Sequence, residues 1–209
     1  MADFLQRDPS LPAFWDERFE RRFTPWDQGG VPPALRAFAA GQPPLVTLIP
    51  GCGSAYELAF LAGQGWDATA IDFSPAAVAQ GRAVAGAAHA ARVVEADFFQ
   101  WQPARPLQLI YERAFLCAMP PALWPRVAAR WAQLLAPGAL LAGFFLLDDA
   151  PKGPPFGITR ARLHDLLDAD FACIADAEVS DSLPVFAGKE RWMVWQRRVL
   201  PRNHRAAQP

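Results

Sequence analysis

From residue 45 to residue 146, short apolar runs alternate with alanine-rich stretches of helical period, the pattern of β-α-β units built on a parallel sheet. Strands are expected at 45–50, 67–72, 91–95, 107–111 and 139–146, with helices between them at about 54–63, 75–87 and 121–136. Ser74 stands where it can cap the second helix, Pro75 takes its first position, and Pro137-Gly138 is expected to stop the third. Earlier in the chain, Phe14, Trp15, Phe19 and Phe23 fall on one face of an amphipathic helix. Pro25 and Gly29-Gly30 break it and leave Trp26 on a loop before a helix at 33–40. After residue 158, Thr159 can cap a helix to about 168, and apolar stretches at 171–177 and 191–196 supply two further strands. The expected fold class is α/β: a doubly wound, mostly parallel seven-stranded sheet with an antiparallel C-terminal pair. Residues 1–198 read as a single domain in which 1–43 form a helical lid, and 199–209 as a basic, flexible tail.

Composition narrows the class of partner. Of 209 residues, 52% are hydrophobic and 20% charged, enough to bury a sizeable core in one domain. Lys plus Arg (20) nearly balances Asp plus Glu (21), so no overall field draws the chain to nucleic acid or to an anionic membrane. A small molecule is the expected partner, and no obligate protein partner is evident. Cys52, Cys117 and Cys173 are odd in number and show neither CxxC nor Cys/His spacing, which argues against a disulfide framework and against a metal site. The N-terminal residues lack a basic segment followed by an apolar one, and no apolar run approaches the ~18 residues of a membrane span. A cytoplasmic location is expected.

The candidate chemistry lies at the strand ends. Leu45 to Ile49 is a buried run that enters Pro50-Gly51-Cys52-Gly53, a turn where a ligand can approach backbone with no Cβ in the way. Alone, such a turn is equally an ordinary strand-to-helix connection. Asp72 follows Gly51 by 21 positions, close to the ~20-residue offset at which a carboxylate meets a ribose diol in nucleotide-binding βαβ units. Tyr56 stands where a dinucleotide fingerprint would have its third glycine, so an uncharged linker suits the pocket better than a pyrophosphate. Asp97, just past the third strand, can accept from an adenine amine while Phe98 or Phe99 stacks on the ring; singly it reads rather as a solvated loop acid, and the ordered set Gly51, Gly53, Asp72 and Asp97 on successive strand ends reverses that. Glu112 and Arg113 interrupt an apolar stretch at the end of the fourth strand, where ligands of open α/β sheets bind. Arg113 can serve the ligand there or simply pair with Glu112 or Asp97. His89, His164 and His204 fall on helices or the tail, away from that edge, and no serine or cysteine nucleophile constellation is present.

Together these residues resemble the thiopurine S-methyltransferase family, whose relatives include plant halide and thiol methyltransferases. The resemblance runs from about Phe14 to Arg197. Its most specific parts are Thr24-Pro25-Trp26-Asp27-Gln28-Gly29, Pro50-Gly51-Cys52-Gly53, Ile71-Asp72-Phe73-Ser74, Glu112-Arg113 and Gly153-Pro154-Pro155-Phe156. It implies an S-adenosylmethionine cofactor. Trp15 and Trp26 would flank its methionine end and the backbone of Gly51, Cys52 and Gly53 would support it. Asp72, followed by Phe73, would bind the ribose hydroxyls, Asp97 with Phe98 the adenine, and Arg113 would lie near the sulfonium and the acceptor. Trp26, Phe115 and Phe156 would wall the acceptor pocket, although the two phenylalanines taken singly read as core. The halide and thiol branch has tyrosine where this chain has Arg113, whereas the 24–29 segment is closer to that branch, so the chain is a hybrid of the two. A sulfonium methyl is already activated, so such a site needs only to align a soft nucleophile and exclude water, and a guanidinium can favour a thiolate. The alternatives are a nicotinamide-dependent oxidoreductase of the same fold and a non-catalytic protein that binds the cofactor.

Overall fold

A computed structural model describes residues 4–150 and 152–199. The chain runs α1 (Pro12–Glu20), α2 (Pro33–Ala40), β1 (Val46–Pro50), α3 (Tyr56–Gly63), β2 (Asp67–Asp72), α4 (Pro75–His89), β3 (Val93–Glu95), β4 (Leu107–Arg113), α5 (Trp124–Leu134), β5 (Leu135–Leu146), α6 (Arg160–Leu167), β6 (Phe171–Glu178) and β7 (Glu190–Arg197). The strands form one seven-stranded sheet in the order β3-β2-β1-β4-β5-β7-β6. The first five are mutually parallel, while β7 runs antiparallel to both β5 and β6. The expected α/β class is therefore present, with β7 inserted between β5 and β6.

Alternation along the strands divides the interior in two. Leu48, Ile71, Ile110, Leu141 and Phe145 face a layer that includes Trp131 of α5 and Leu163 and Leu167 of α6. Ile49, Ala68, Ala70, Leu109 and Tyr111 face Leu35 of α2, Leu58 and Leu61 of α3 and Val78 of α4. Helices on both faces explain why β1 and β4 read as nearly continuous apolar runs. The sheet order reverses between β1, which pairs with β2, and β4, and the crevice beyond the carboxyl ends of these strands is where such sheets bind ligands.

Ser74 caps α4 as expected, its hydroxyl accepting from the Ala77 N–H at 3.1 Å, and Thr159 caps α6. Three of the boundaries that differ from expectation have a local cause. Helix α1 ends at Glu20, because Arg22 turns into the left-handed region (φ 53°), so Phe23 leaves the helical face and packs on Phe4 with ring centroids 5.1 Å apart. Pro137-Gly138 does not stop α5. That helix ends at Leu134, and the pair lies inside β5, at a shift of register opposite Leu107 to Leu109 where proline's missing N–H costs no ladder bond. Strand β3 starts two residues late because Ala90–Arg92 form a 3₁₀ turn. Of the tail at 199–209, all but Val199 lies outside the described residues, as does His204.

Candidate functional site

A cleft of about 860 Å³ opens over the carboxyl ends of β1, β2, β3 and β4. Its floor is the turn after β1, where Gly51 (φ 59°), Gly53 (φ 49°) and Ala55 (φ 54°) all adopt left-handed backbone. Glycine is needed at 51 for a second reason: a Cβ there would lie 2.6 Å from the Phe115 ring. The turn is fixed from the neighbouring strand, since the Cys52 N–H donates to the Ile71 carbonyl at 3.1 Å and the Gly53 N–H to Asp72 Oδ2 at 3.1 Å. Asp72 Oδ1 accepts from the Ser74 N–H at 3.0 Å. Burial raises the Asp72 pKa to about 6, against the lowering effect of these N–H donors.

At the next strand end, Asp97 is exposed on the cleft rim and caps its own loop, Oδ1 accepting from the Phe99 N–H at 2.8 Å. Phe98 and Phe115 meet at 4.9 Å between ring centroids, both lining the cleft and both part of the core beneath it. Phe73 lines the cleft beside Asp72.

Arg113 ends β4 on the cleft wall. Its Nη1 donates to Glu190 Oε1 at 3.0 Å, Nη2 reaches Gln28 Oε1 at 3.4 Å, and the guanidinium lies 4.1 Å from the centroid of Phe144. Its partner is thus Glu190 at the start of β7, not Glu112 or Asp97. Glu112 points to the opposite face, where Oε1 accepts from the Phe115 and Leu116 N–H groups at 2.9 Å each and so holds the turn that carries Phe115. Burial pushes the Glu112 pKa up to about 7.

The N-terminal segment lines the cleft as well. Trp15 and Trp26 pack edge-on at 5.4 Å, and both line the cleft. Two carboxylates dock this segment. Asp16 Oδ1 accepts from Ser74 Oγ at 2.6 Å and from the Ala76 N–H at 3.1 Å, while Asp27 Oδ2 accepts from Ser54 Oγ, which in turn accepts from Gln80 Nε2 at 2.6 Å. Gln28 also donates to the Asp181 carbonyl at 3.2 Å, tying the segment to the loop before β7.

The structure therefore brings together Trp15, Trp26, Gly51, Cys52, Gly53, Asp72, Phe73, Asp97, Phe98, Arg113 and Phe115 around one cleft. Phe156 is the exception. Its N–H donates to the Cys117 carbonyl at 2.7 Å, and it packs on the core beside a void of about 10 Å³ shared with Glu112 and Leu146, while Gly153, Pro154 and Pro155 line the cleft. Asp16, Glu57 and Glu190 carry weight that the sequence did not announce. Glu57 follows the glycine turn by four positions, a readable signal, whereas nothing local marks Glu190, 77 residues from its partner.

His89 ends α4 and His164 sits on α6 beside Asp168, and neither lines the cleft. Burial raises the Cys52 and Cys117 thiols well above their ordinary range, with Asp72 reinforcing the first and Glu112 the second, so both cleft thiols stay protonated and weakly nucleophilic.

A sequence profile of the thiopurine S-methyltransferase family matches residues 11–198. The chain belongs to this family. Thiocyanate methyltransferase 1 of Arabidopsis thaliana is 27% identical over 190 residues, covering 88% of this chain and 84% of that one. Probable thiol methyltransferase 2 of the same plant is 30% identical over 73% of this chain and 70% of its own length. Thiopurine S-methyltransferase of Shewanella piezotolerans is 26% identical, with coverages of 86% and 92%. Among solved structures, the Burkholderia thailandensis 1,6-didemethyltoxoflavin-N1-methyltransferase with bound S-adenosylhomocysteine superposes with a TM-score of 0.69 at 18% identity, over 95% of this chain and 94% of that one, a likeness of fold. The protein is an S-adenosylmethionine-dependent methyltransferase, and these relatives do not favour a nicotinamide-dependent reading. The cleft fits that cofactor on its own geometry. Two glycines leave the floor without a Cβ, Asp72 stands at the β2 end, and the volume is within the ~300–1,000 Å³ range of small-molecule sites.

Proposed function

We propose that this methyltransferase transfers a methyl group in line to a small, soft nucleophile: a thiol, a thiopurine or a selenium compound. The observation that carries this reading is Arg113, a guanidinium with its side chain only 12% exposed, set in an aromatic wall at the sheet edge with no histidine among the described residues that line the cleft. A cation beside an acceptor lowers the acceptor's pKa, so Arg113 favours the ionised sulfur or selenium. The relatives named for thiocyanate, thiol and thiopurine support the same class.

The bound cofactor supplies an activated methyl group on a positively charged sulfur; everything else falls to the chain. Asp72 is assigned the ribose hydroxyls and Asp97 with Phe98 the adenine. The Gly51, Cys52 and Gly53 backbone supports the linker, and Trp15 and Trp26 cover the methionine end, their ring faces suited to a sulfonium. Trp26 and Phe115 exclude water from the acceptor side. Residues 1–43 act as a lid on a single domain of 1–198. No helix among the described residues is long and apolar enough to cross a membrane, and the free thiols of Cys52, Cys117 and Cys173 support a cytoplasmic location.

The test is an acceptor panel of thiols, thiopurines, selenium compounds, thiocyanate, halides and catechols, read by S-adenosylhomocysteine release. Release with a sulfur or selenium acceptor is expected; release with catechols alone would overturn the assignment.

A further inference from the structure

The sheet order fixes the direction in which an adenosyl cofactor lies across this edge. With adenine at the end of β3 and ribose at the end of β2, its amino-acid end runs past the β1 turn toward the start of α3 and the end of β4. Glu57 stands there. It belongs to the first turn of α3, lines the cleft, and is buried on a helix whose other buried residues, Leu58 and Leu61, are apolar. A carboxylate in such a place is costly unless a cation meets it. The ionisable groups that couple to it electrostatically are Asp27 from the N-terminal segment, Cys52 from the glycine turn, and Tyr111 and Arg113 from β4. Of these only Arg113 is positive, and it is already paired with Glu190. Among the described residues the Tyr111 hydroxyl has no hydrogen-bond partner. Asp27 and Glu57 thus share one end of the cleft, and among the described residues the cation that acts on Glu57 is Arg113, which is held by Glu190.

We propose that Glu57 receives the α-ammonium group of the cofactor's amino-acid end, with Asp27 as the second negative charge beside it; this rests on the cofactor orientation proposed above. An ammonium offers three N–H donors and a full positive charge, which is what a buried carboxylate lacks here. Burial holds the free Glu57 near a pKa of about 7, so docking the ammonium displaces its proton at neutral pH.

The test compares two ligands that share adenine, ribose and thioether sulfur. S-adenosylhomocysteine carries the amino-acid end and 5′-methylthioadenosine lacks it, and neither carries a sulfonium. By calorimetry at neutral pH, Glu57→Gln should weaken S-adenosylhomocysteine roughly ten- to a hundredfold, the effect of losing a charge-assisted hydrogen bond, while 5′-methylthioadenosine changes less than about twofold. Equal weakening of both ligands, or no weakening of either, overturns the assignment. Should the variant not fold, the wild-type protein decides: titrations in buffers of different ionisation enthalpy should show more proton release with S-adenosylhomocysteine than with 5′-methylthioadenosine, and equal release overturns it. A wild-type protein that binds neither ligand would overturn the functional reading itself.

Discussion

Arg113 on β4 and Glu190 on β7, 77 residues apart in sequence, form an ion pair 3.0 Å long on the wall of the cleft. The pair sets how much positive charge an acceptor meets. Replacing Glu190 with glutamine keeps a hydrogen-bond acceptor but removes the compensating charge, so the acceptor's pKa should fall. The acidic limb of the kcat profile with a saturating thiol, which reports the bound acceptor, should move to lower pH by roughly half a unit. An unmoved limb would show that Arg113 does not act on the acceptor's ionisation.

The same pair gives a stability prediction. Arg113→Ala leaves Glu190 buried without its cation and should cost about 3–5 kcal/mol by urea denaturation. The double variant Arg113→Ala/Glu190→Gln should recover most of that loss, because no buried charge remains unpaired. Additive losses in the two single variants would contradict the coupling.

Gly51→Ala forces a Cβ to within 2.6 Å of the Phe115 ring at a backbone φ of 59°. The turn or the ring must move. A loss of about 1–3 kcal/mol in stability is expected, together with at least roughly tenfold weaker S-adenosylhomocysteine binding by calorimetry. Retained affinity would mean that the turn is not the floor of the cofactor site.

Four buried carboxylates set the pH dependence of the ligand-free protein. Asp72 is raised to about 6, Glu57 and Glu112 to about 7, and Glu190 is raised as well, all chiefly by burial. Each binds its proton more tightly when folded than when unfolded. The folded state therefore holds more protons between the unfolded and folded pKa values, and stability falls as pH rises through that window, from about 4 to 7, then levels off. The melting temperature should be lower at pH 8 than at pH 5 by roughly 5 °C or more. S-adenosylhomocysteine should narrow the gap by pairing Asp72 and Glu57. A melting temperature that climbs from pH 5 to pH 8 would contradict these environments.

Asp16 docks the N-terminal segment by accepting from Ser74 Oγ and the Ala76 N–H at the start of α4. Asp16→Ala removes both contacts, so limited proteolysis should cut the segment before α2 several-fold faster, and KM for the acceptor should rise more than kcat falls. Unchanged cleavage would place the docking elsewhere.

The layout of the fold was legible because each strand of the sheet carries its own periodic signal, and Gly51, Asp72, Asp97 and Arg113 sit at strand ends that any parallel sheet gathers on one edge. What escaped depends on three-dimensional pairing. Pro137-Gly138 reads as a helix stop, yet β5 absorbs it at an irregular register that only its partner strand β4 reveals. Phe156 carries an aromatic in the expected segment, but it packs against the core while Gly153, Pro154 and Pro155 line the cleft, a division that only the tertiary structure reveals. Glu190 begins a strand that reads as plain core until β7 is seen two strands from β4.

The most direct test of the account is one incubation of the wild-type protein with methyl-labelled S-adenosylmethionine and a small thiol, analysed by mass spectrometry. The label is expected on the acceptor sulfur with an equal amount of S-adenosylhomocysteine formed. Cofactor binding without any labelled product across the sulfur and selenium acceptors would contradict it.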